Sequence, residues 1–160
     1  MSKFYITTAI LYTNGPPHIG FAFELLLADV IARYHRLKGD DTFFLTGTDE
    51  HGSTVAKAAA KHGVELKKFV DDLAEQAKDL TKKLNISNDD FIRTSDQERH
   101  WPSAVKLWNI LSEKDDLYKK KYKGLYCVGH ESFIKKTDLV NGLCPLHQTE
   151  PESIEEENWF

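Results

Sequence analysis

Three short stretches of this chain carry residue types whose spacing could do chemistry. In the first, an apolar, β-branched run from Phe4 to Leu11 breaks into the turn Asn14-Gly15-Pro16-Pro17, and His18 and Gly20 then open a long helix. A strand that turns sharply into a helix aims unpaired N–H groups and a positive helix end at one spot, which suits phosphate. His18 adds a donor there, and Gly20 lets a ligand approach the backbone with no Cβ in the way. Taken alone, the pattern also fits a helix N-terminus with an incidental histidine.

The second stretch is Thr46-Gly47-Thr48-Asp49-Glu50-His51-Gly52. Two adjacent acids and a histidine beside a strand end supply a carboxylate able to hold an ammonium group. A polar loop with Asp49 as a helix cap is the competing reading. The third is Cys127-Val128-Gly129-His130, then thirteen residues, then Cys144-Pro145-Leu146-His147. Two ligand pairs of equal spacing can wrap one tetrahedral Zn²⁺ with thiolate and imidazole donors, in a closed structural site. A Cys127–Cys144 disulfide and two chance surface histidines are the alternatives.

The elements that must position these residues follow from periodicity. Phe23, Leu26, Leu27, Val30, Ile31, Tyr34 and Leu37 recur at helical spacing and predict a helix that buries this face and ends at Gly39. Thr42 to Thr46 is continuously apolar enough for a central parallel strand. Ser53 to His62 reads as a helix closed by Gly63. A further helix carries Leu66, Phe69, Val70, Leu73, Ala77, Leu80 and Leu84 on one face, and Phe91 to Thr94 forms another short strand. Ser95 or Asp96 then caps a helix with Val105, Trp108, Leu111 and Leu117, starting or kinking near Pro102. Strands alternating with helices predict a doubly wound α/β parallel sheet, with ligands beyond the carboxyl ends of its strands. Both chemical loops of this first part fall at that edge. After Tyr118 helical periodicity stops, so a first domain over 1–117 and a second module over 118–160 are expected.

Composition narrows the classes further. The 160 residues carry a formal net charge of −4, which argues against coating nucleic acid by bulk charge. Contact with RNA would need a local patch, and Lys119, Lys120, Lys121 and Lys123 are the candidate, faced downstream by the acidic run Glu150 to Glu157. No apolar stretch approaches the ~20 residues that span a bilayer. Two cysteines without a signal peptide point to the reduced cytoplasm.

The motifs Asn14-Gly-Pro-Pro-His-Ile-Gly20 and Phe44-Leu-Thr-Gly-Thr-Asp-Glu-His-Gly52 together resemble methionyl-tRNA synthetase, a class I aminoacyl-tRNA synthetase, and the resemblance runs along essentially the whole chain. It implies half of a Rossmann-like catalytic domain followed by the start of an inserted module with a zinc knuckle. Methionine would attack the α-phosphate of ATP, used with Mg²⁺, and the methionyl group would pass to tRNA(Met). Carried over by position, His18 and Gly20 become the catalytic pair at the ATP phosphates and adenosine. Tyr12 borders ATP and methionine, Ala9 and Ile10 complete the methionine pocket, and Asp49 takes the amino group, with Glu50 the lesser acid. Cys127, His130, Cys144 and His147 become a Cys₂His₂ variant of the knuckle. Two features depart from the family. Phe21 stands where a histidine is usual, which removes one contact to nucleotide, and Glu24 is unexpectedly acidic for a helix facing phosphate. The signature Lys-Met-Ser-Lys-Ser does not occur in these residues. Weak or no methionine activation is therefore expected of the chain alone, and a second polypeptide carrying the remainder is one possible partner. A non-catalytic methionine- or nucleotide-binding module and a zinc-stapled interaction module are the alternatives.

Overall fold

A computed structural model describes residues 2–130 and 132–160. The chain forms two compact units, the first ending at Lys106 and the second covering Leu107–Phe160.

In the first unit β3 (Asp41–Asp49) is the middle strand. On one side it pairs in parallel with β1 (Lys3–Thr7) and, further along, with the short β2 (Leu11–Tyr12). On the other side lies β4 (Asp90–Arg93), also parallel. Helix α1 (Ile19–Leu37) links β2 to β3, while α2 (Ser53–Lys61) and α3 (Leu66–Lys83) link β3 to β4. Helix α4 (Trp101–Glu113) follows a turn in which the Asp96 carboxylate accepts the N–H groups of Glu98 and Arg99 at 3.0 and 2.9 Å. It begins one residue before Pro102, where a missing N–H costs nothing. The parallel α/β sheet is thus as expected, but β3 runs on through Gly47 and Thr48 to Asp49, so half of the second chemical loop is strand. Gly47 faces Ile92 across that ladder, and a Cβ there would run into the Ile92 carbonyl oxygen.

The helix α1 corrects the expected face. Phe21, Ala22, Leu25, Ala28 and Ala32 are its buried apolar residues, and the larger stripe Phe23, Leu26, Leu27, Val30, Ile31, Tyr34 and Leu37 is 42–90% exposed. Alanines let the helix axis come close to β3, where Ala28 and Ala32 pack on Phe44 with Ile6 and Ile86 at the margin. A second cluster joins Leu11, Phe21, Leu25 and Ala77. Asp29, also on the inner face, accepts Arg33 Nε at 2.7 Å and both the N–H and the hydroxyl of Ser87, at 2.7 and 2.5 Å, so α1 is tied to the loop that leads into β4.

The second unit is an antiparallel sheet in the order β6 (Ser132–Ile134), β5 (Lys119–Cys127), β7 (Glu152–Trp159). Lys121 stands opposite Glu157, and Lys123 opposite Glu155. Ion pairs join Lys119 to Glu157 at 3.4 Å and Lys123 to Glu155 at 3.5 Å. The lysine patch is therefore balanced by the acidic run beside it, cross-strand pairing that leaves little free charge for RNA. Among the described residues, no helix is long and apolar enough to cross a membrane.

Candidate active site and candidate metal centre

His18 is the N-cap of α1, extended at φ −120° and ψ 173°. Its Nδ1 accepts the Gly20 N–H at 3.0 Å. An accepting Nδ1 leaves the proton of a neutral imidazole on Nε2, so the ring presents an N–H donor away from the cap. A Cβ on Gly20 would stand 2.8 Å from the ring carbon Cε1 and 3.0 Å from Nδ1. The space over Gly20 is thus taken first by the His18 ring, whereas the sequence reading reserved it for a ligand.

Both family departures turn their side chains inward. Phe21 is 5% exposed and packs in the core with Leu11, Leu25 and Ala77. Glu24 turns back to the sheet, where Oε1 accepts the Ala9 N–H at 2.6 Å and holds the connection between β1 and β2.

Along that connection Ala9 is exposed, Ile10 and Tyr12 are half-buried, and Leu11 is buried. Register sets Tyr12 beside Asp49. The Tyr12 hydroxyl lies against Gly52, whose φ is +132°, and a Cβ on Gly52 would meet that oxygen at 2.5 Å. Tyr12, Asp49 and Gly52 therefore converge at the carboxyl end of β2 and β3. Asp49 does not cap α2. The N-cap is Gly52, with no side-chain bond to the helix. The Asp49 carbonyl accepts both the N–H and the hydroxyl of buried Thr13, at 2.9 and 3.0 Å. Among the described residues its carboxylate takes only a long 3.5 Å contact from the His51 N–H, which leaves it free to meet a cation.

Glu50 turns away from the open edge that Asp49 faces. Its side chain is fully buried, and both oxygens are occupied. Oε1 accepts Thr48 Oγ1 at 2.5 Å and Arg93 Nε at 2.7 Å, and Oε2 accepts Arg93 Nη2 at 2.8 Å and the Ser95 hydroxyl. Burial pushes this carboxyl's pKa up, but the bonds from Arg93, Ser95 and Thr48 outweigh it and hold the group below its ordinary value. Arg93 continues to Asp71 of α3 at 2.6 Å, and the Arg93 guanidinium is held above its usual range chiefly by Glu50. Thr13, Thr48 and Arg93 received no site role from the sequence, and Ser95 only that of a candidate helix cap. A buried acid needs a base within reach, but nothing in the spacing shows which of two adjacent acids turns inward. A cleft of about 470 Å³ opens beside this cluster, lined by His51, Val70, Asp71, Arg93 and Trp101 among others; none of Ala9, Ile10, Tyr12 or His18 borders it.

In the second unit Cys127, His130, Cys144 and His147 bring one donor atom each within 4.8 Å of one another. Cys144 Sγ lies 3.4 Å from His130 Nδ1 and 3.6 Å from His147 Nδ1, and Cys127 Sγ lies 3.8 Å from His147 Nδ1. A tetrahedron with zinc–nitrogen and zinc–sulfur bonds has edges of about 3.3–3.8 Å. Both cysteines are buried and free rather than joined as a disulfide. The His147 N–H donates to Cys144 Sγ at 3.4 Å, and the His130 N–H, the foremost cause, lowers the Cys127 thiol's pKa against the opposing effect of burial. Gly129 lets the His147 ring close over it, since a Cβ there would stand 2.5 Å from that ring. The donor set and its spacing fit a single tetrahedral metal ion.

Known proteins are similar to this chain in sequence and fold. The profile of the family described as tRNA synthetases class I (M) matches residues 4–158. Methionine–tRNA ligase of Thermotoga maritima is 46% identical over 99% of this chain and 26% of its own length. The probable mitochondrial methionine–tRNA ligase of Dictyostelium discoideum is 42% identical over 99% of this chain and 29% of its length. Mycobacterium tuberculosis methionyl-tRNA synthetase, solved in complex with methionyl-adenylate, superimposes with a TM-score of 0.90 at 40% identity, covering 99% of this chain and 32% of that one. The chain spans between a quarter and a third of the length of these relatives. With two signature loops meeting at the carboxyl edge of a parallel sheet and a profile match along nearly its full length, the chain belongs to the class I tRNA synthetases of the methionine type and has their catalytic-domain fold.

Proposed function

We propose that this chain supplies the methionine- and ATP-binding face of a methionine–tRNA ligase. In the first step a methionine carboxylate oxygen attacks the α-phosphorus of ATP, and pyrophosphate leaves with its Mg²⁺. In the second the methionyl group passes to a hydroxyl at the 3′ end of tRNA(Met) and releases AMP. Such chemistry depends on positioning and on stabilising charge. Asp49 holds the substrate ammonium, and Ala9, Ile10 and Tyr12 flank the methionine. His18 donates from Nε2 to phosphate over the positive end of the nineteen-residue α1, with Gly20 giving the ring its seat.

One observation carries the reading. The Asp49 carboxylate is unpaired while its own carbonyl is doubly bonded to Thr13, a fixed anion at the ligand edge of the sheet. Residues 1–117 are read as catalytic-domain sequence and 118–160 as the start of an inserted module, stapled by Zn²⁺ on Cys127, His130, Cys144 and His147. A metal there is structural: it closes the module and leaves no open position for substrate. The cytoplasm, where thiols stay reduced, suits such a site. Methionine-dependent ATP–pyrophosphate exchange, measured on the chain alone and with the remainder of a relative's catalytic domain added, tests the reading. Exchange that depends on this chain and disappears in Asp49→Ala is expected. Exchange unaffected by Asp49→Ala assigns the ammonium elsewhere.

A further inference from the structure

The peptide between Asp49 and Glu50 is held on both sides. Its carbonyl accepts two bonds from Thr13 on the β2 side, and its N–H donates to Thr94 Oγ1 at 2.8 Å on the β4 side. The Thr94 N–H in turn donates to the Thr48 carbonyl at 3.2 Å. Beyond that peptide the Glu50 side chain runs inward to a fork–fork pair with Arg93 and to the hydroxyls of Thr48 and Ser95. A largely buried ion pair of this kind adds little net stability over apolar residues of similar volume, because desolvation of the buried Glu50 carboxylate offsets its attraction. What it does fix is geometry, since a two-bond fork defines plane and distance together. Arg93 is itself held from behind by Asp71, which also accepts Lys67 Nζ at 2.5 Å. The residue left unpaired at the end of this chain of bonds is Asp49.

We propose that Glu50 and Arg93 are positioning residues: the pair of buried Glu50 and half-buried Arg93 sets the Asp49–Glu50 peptide and so aims the Asp49 carboxylate at the ammonium of the substrate. This rests on the methionine reading for what the carboxylate meets. Neither residue touches substrate. Loosening the pair lets the peptide rotate and the carboxylate swing away, so discrimination for the ammonium falls while apolar contacts to the ligand survive.

The test uses the 160-residue chain with Glu50→Gln, Arg93→Lys, Asp49→Asn and the double variant Asp49→Asn/Glu50→Gln. Methionine and its des-amino analogue are titrated by calorimetry, and amide exchange is followed by NMR. Glu50→Gln should weaken methionine by about tenfold or more, as expected for a misplaced charged hydrogen bond. Affinity for the des-amino analogue should stay unchanged. Arg93→Lys, which keeps the charge and loses the fork, should show the same selectivity, and the double variant should bind no worse than Asp49→Asn. Equal losses for both ligands, or additive losses in the double variant, overturn the proposal. If the wild-type chain binds neither ligand, the titrations are repeated with the remainder of a relative's catalytic domain added; absence of binding there overturns the methionine reading, and amide exchange then decides the positioning claim alone. The Thr13 and Glu50 amides should then exchange about tenfold faster in Glu50→Gln, the amount one lost bond gives, while β1–β3 amides hold. Unchanged Thr13 and Glu50 protection overturns it.

Discussion

Replacing Gly20 with alanine separates two effects that glycine combines at the start of α1. The added Cβ would lie 2.8 Å from the His18 ring, so the ring must leave its seat and the bond from the Gly20 N–H to Nδ1 breaks. Losing an N-cap bond costs about 1 kcal/mol. Alanine in the helix returns up to about 1 kcal/mol relative to glycine. The two nearly cancel, so the melting temperature should move by less than about 5 °C, the shift that 1 kcal/mol gives a domain of this size. The imidazole should change far more than the stability. In the wild type, ¹⁵N NMR should show the neutral ring with its proton on Nε2 and Nδ1 accepting. In Gly20→Ala the two tautomers should mix. A melting loss well beyond that range, or an unaltered tautomer signature, would show that His18 is not seated over Gly20 as the cap.

Three other perturbations follow from the same structure. Glu50→Ala should destabilise the first unit by about 1.5–3 kcal/mol in urea unfolding, because it removes the two-bond partner of the half-buried Arg93 guanidinium and leaves it only Asp71; a change under about 1 kcal/mol would mean that water replaces the carboxylate. Glu50 and Asp29 both have carboxyls held below their ordinary values, burial being outweighed by hydrogen bonds from Arg93 and Ser87 respectively. Their stabilisation is full above the unfolded pKa values near ~4 and is lost as pH falls through the lower folded values. Urea midpoints should therefore drop on acidification below about pH 5, and Asp29→Asn/Glu50→Gln should flatten that slope. Elemental analysis should find one zinc per chain, and chelation or Cys144→Ser should collapse the NMR dispersion of the second unit while α1–α3 signals persist; dispersion that survives chelation would show that the four donors do not organise the module.

Alternation of apolar runs and amphipathic stretches made the parallel sheet readable, because β3 is the central strand and its neighbours are joined to it by helices. The paired Cys-x-x-His spacing was equally readable, since four donors at matched offsets have few other uses. The inward face of α1 was not. Hydropathy ranks Phe23, Leu27 and Ile31 above Ala28 and Ala32, but close packing against Phe44 selects by size, so the smaller residues turn inward. The fate of Phe21 was hidden for a related reason: a motif position names a ligand contact, whereas a half-turn of helix decides whether that side chain sees ligand or core. Asp49 ends β3 and Glu50 is the first residue beyond it, and neighbouring side chains there part, one to the open edge and the other to Arg93.

Parallel pairing also sets the order in which this chain can fold. Lys3 must find Asp41 and Leu45 must find Asp90 before the first sheet exists, so each ladder waits on a helical crossover and its loop-closure cost. The second sheet, by contrast, can start from a local hairpin in which Cys127 faces Ser132. On a ribosome, β1 and α1 emerge first and stand without β4 for on the order of ten seconds at ordinary elongation rates. Through that interval the inner face of α1, with Phe21, Leu25, Ala28 and Ala32, lacks part of its cover and joins the permanently exposed Phe23–Leu37 stripe in offering apolar surface to wrong partners, which makes the nascent first third of this chain a natural client for chaperones that bind apolar helices.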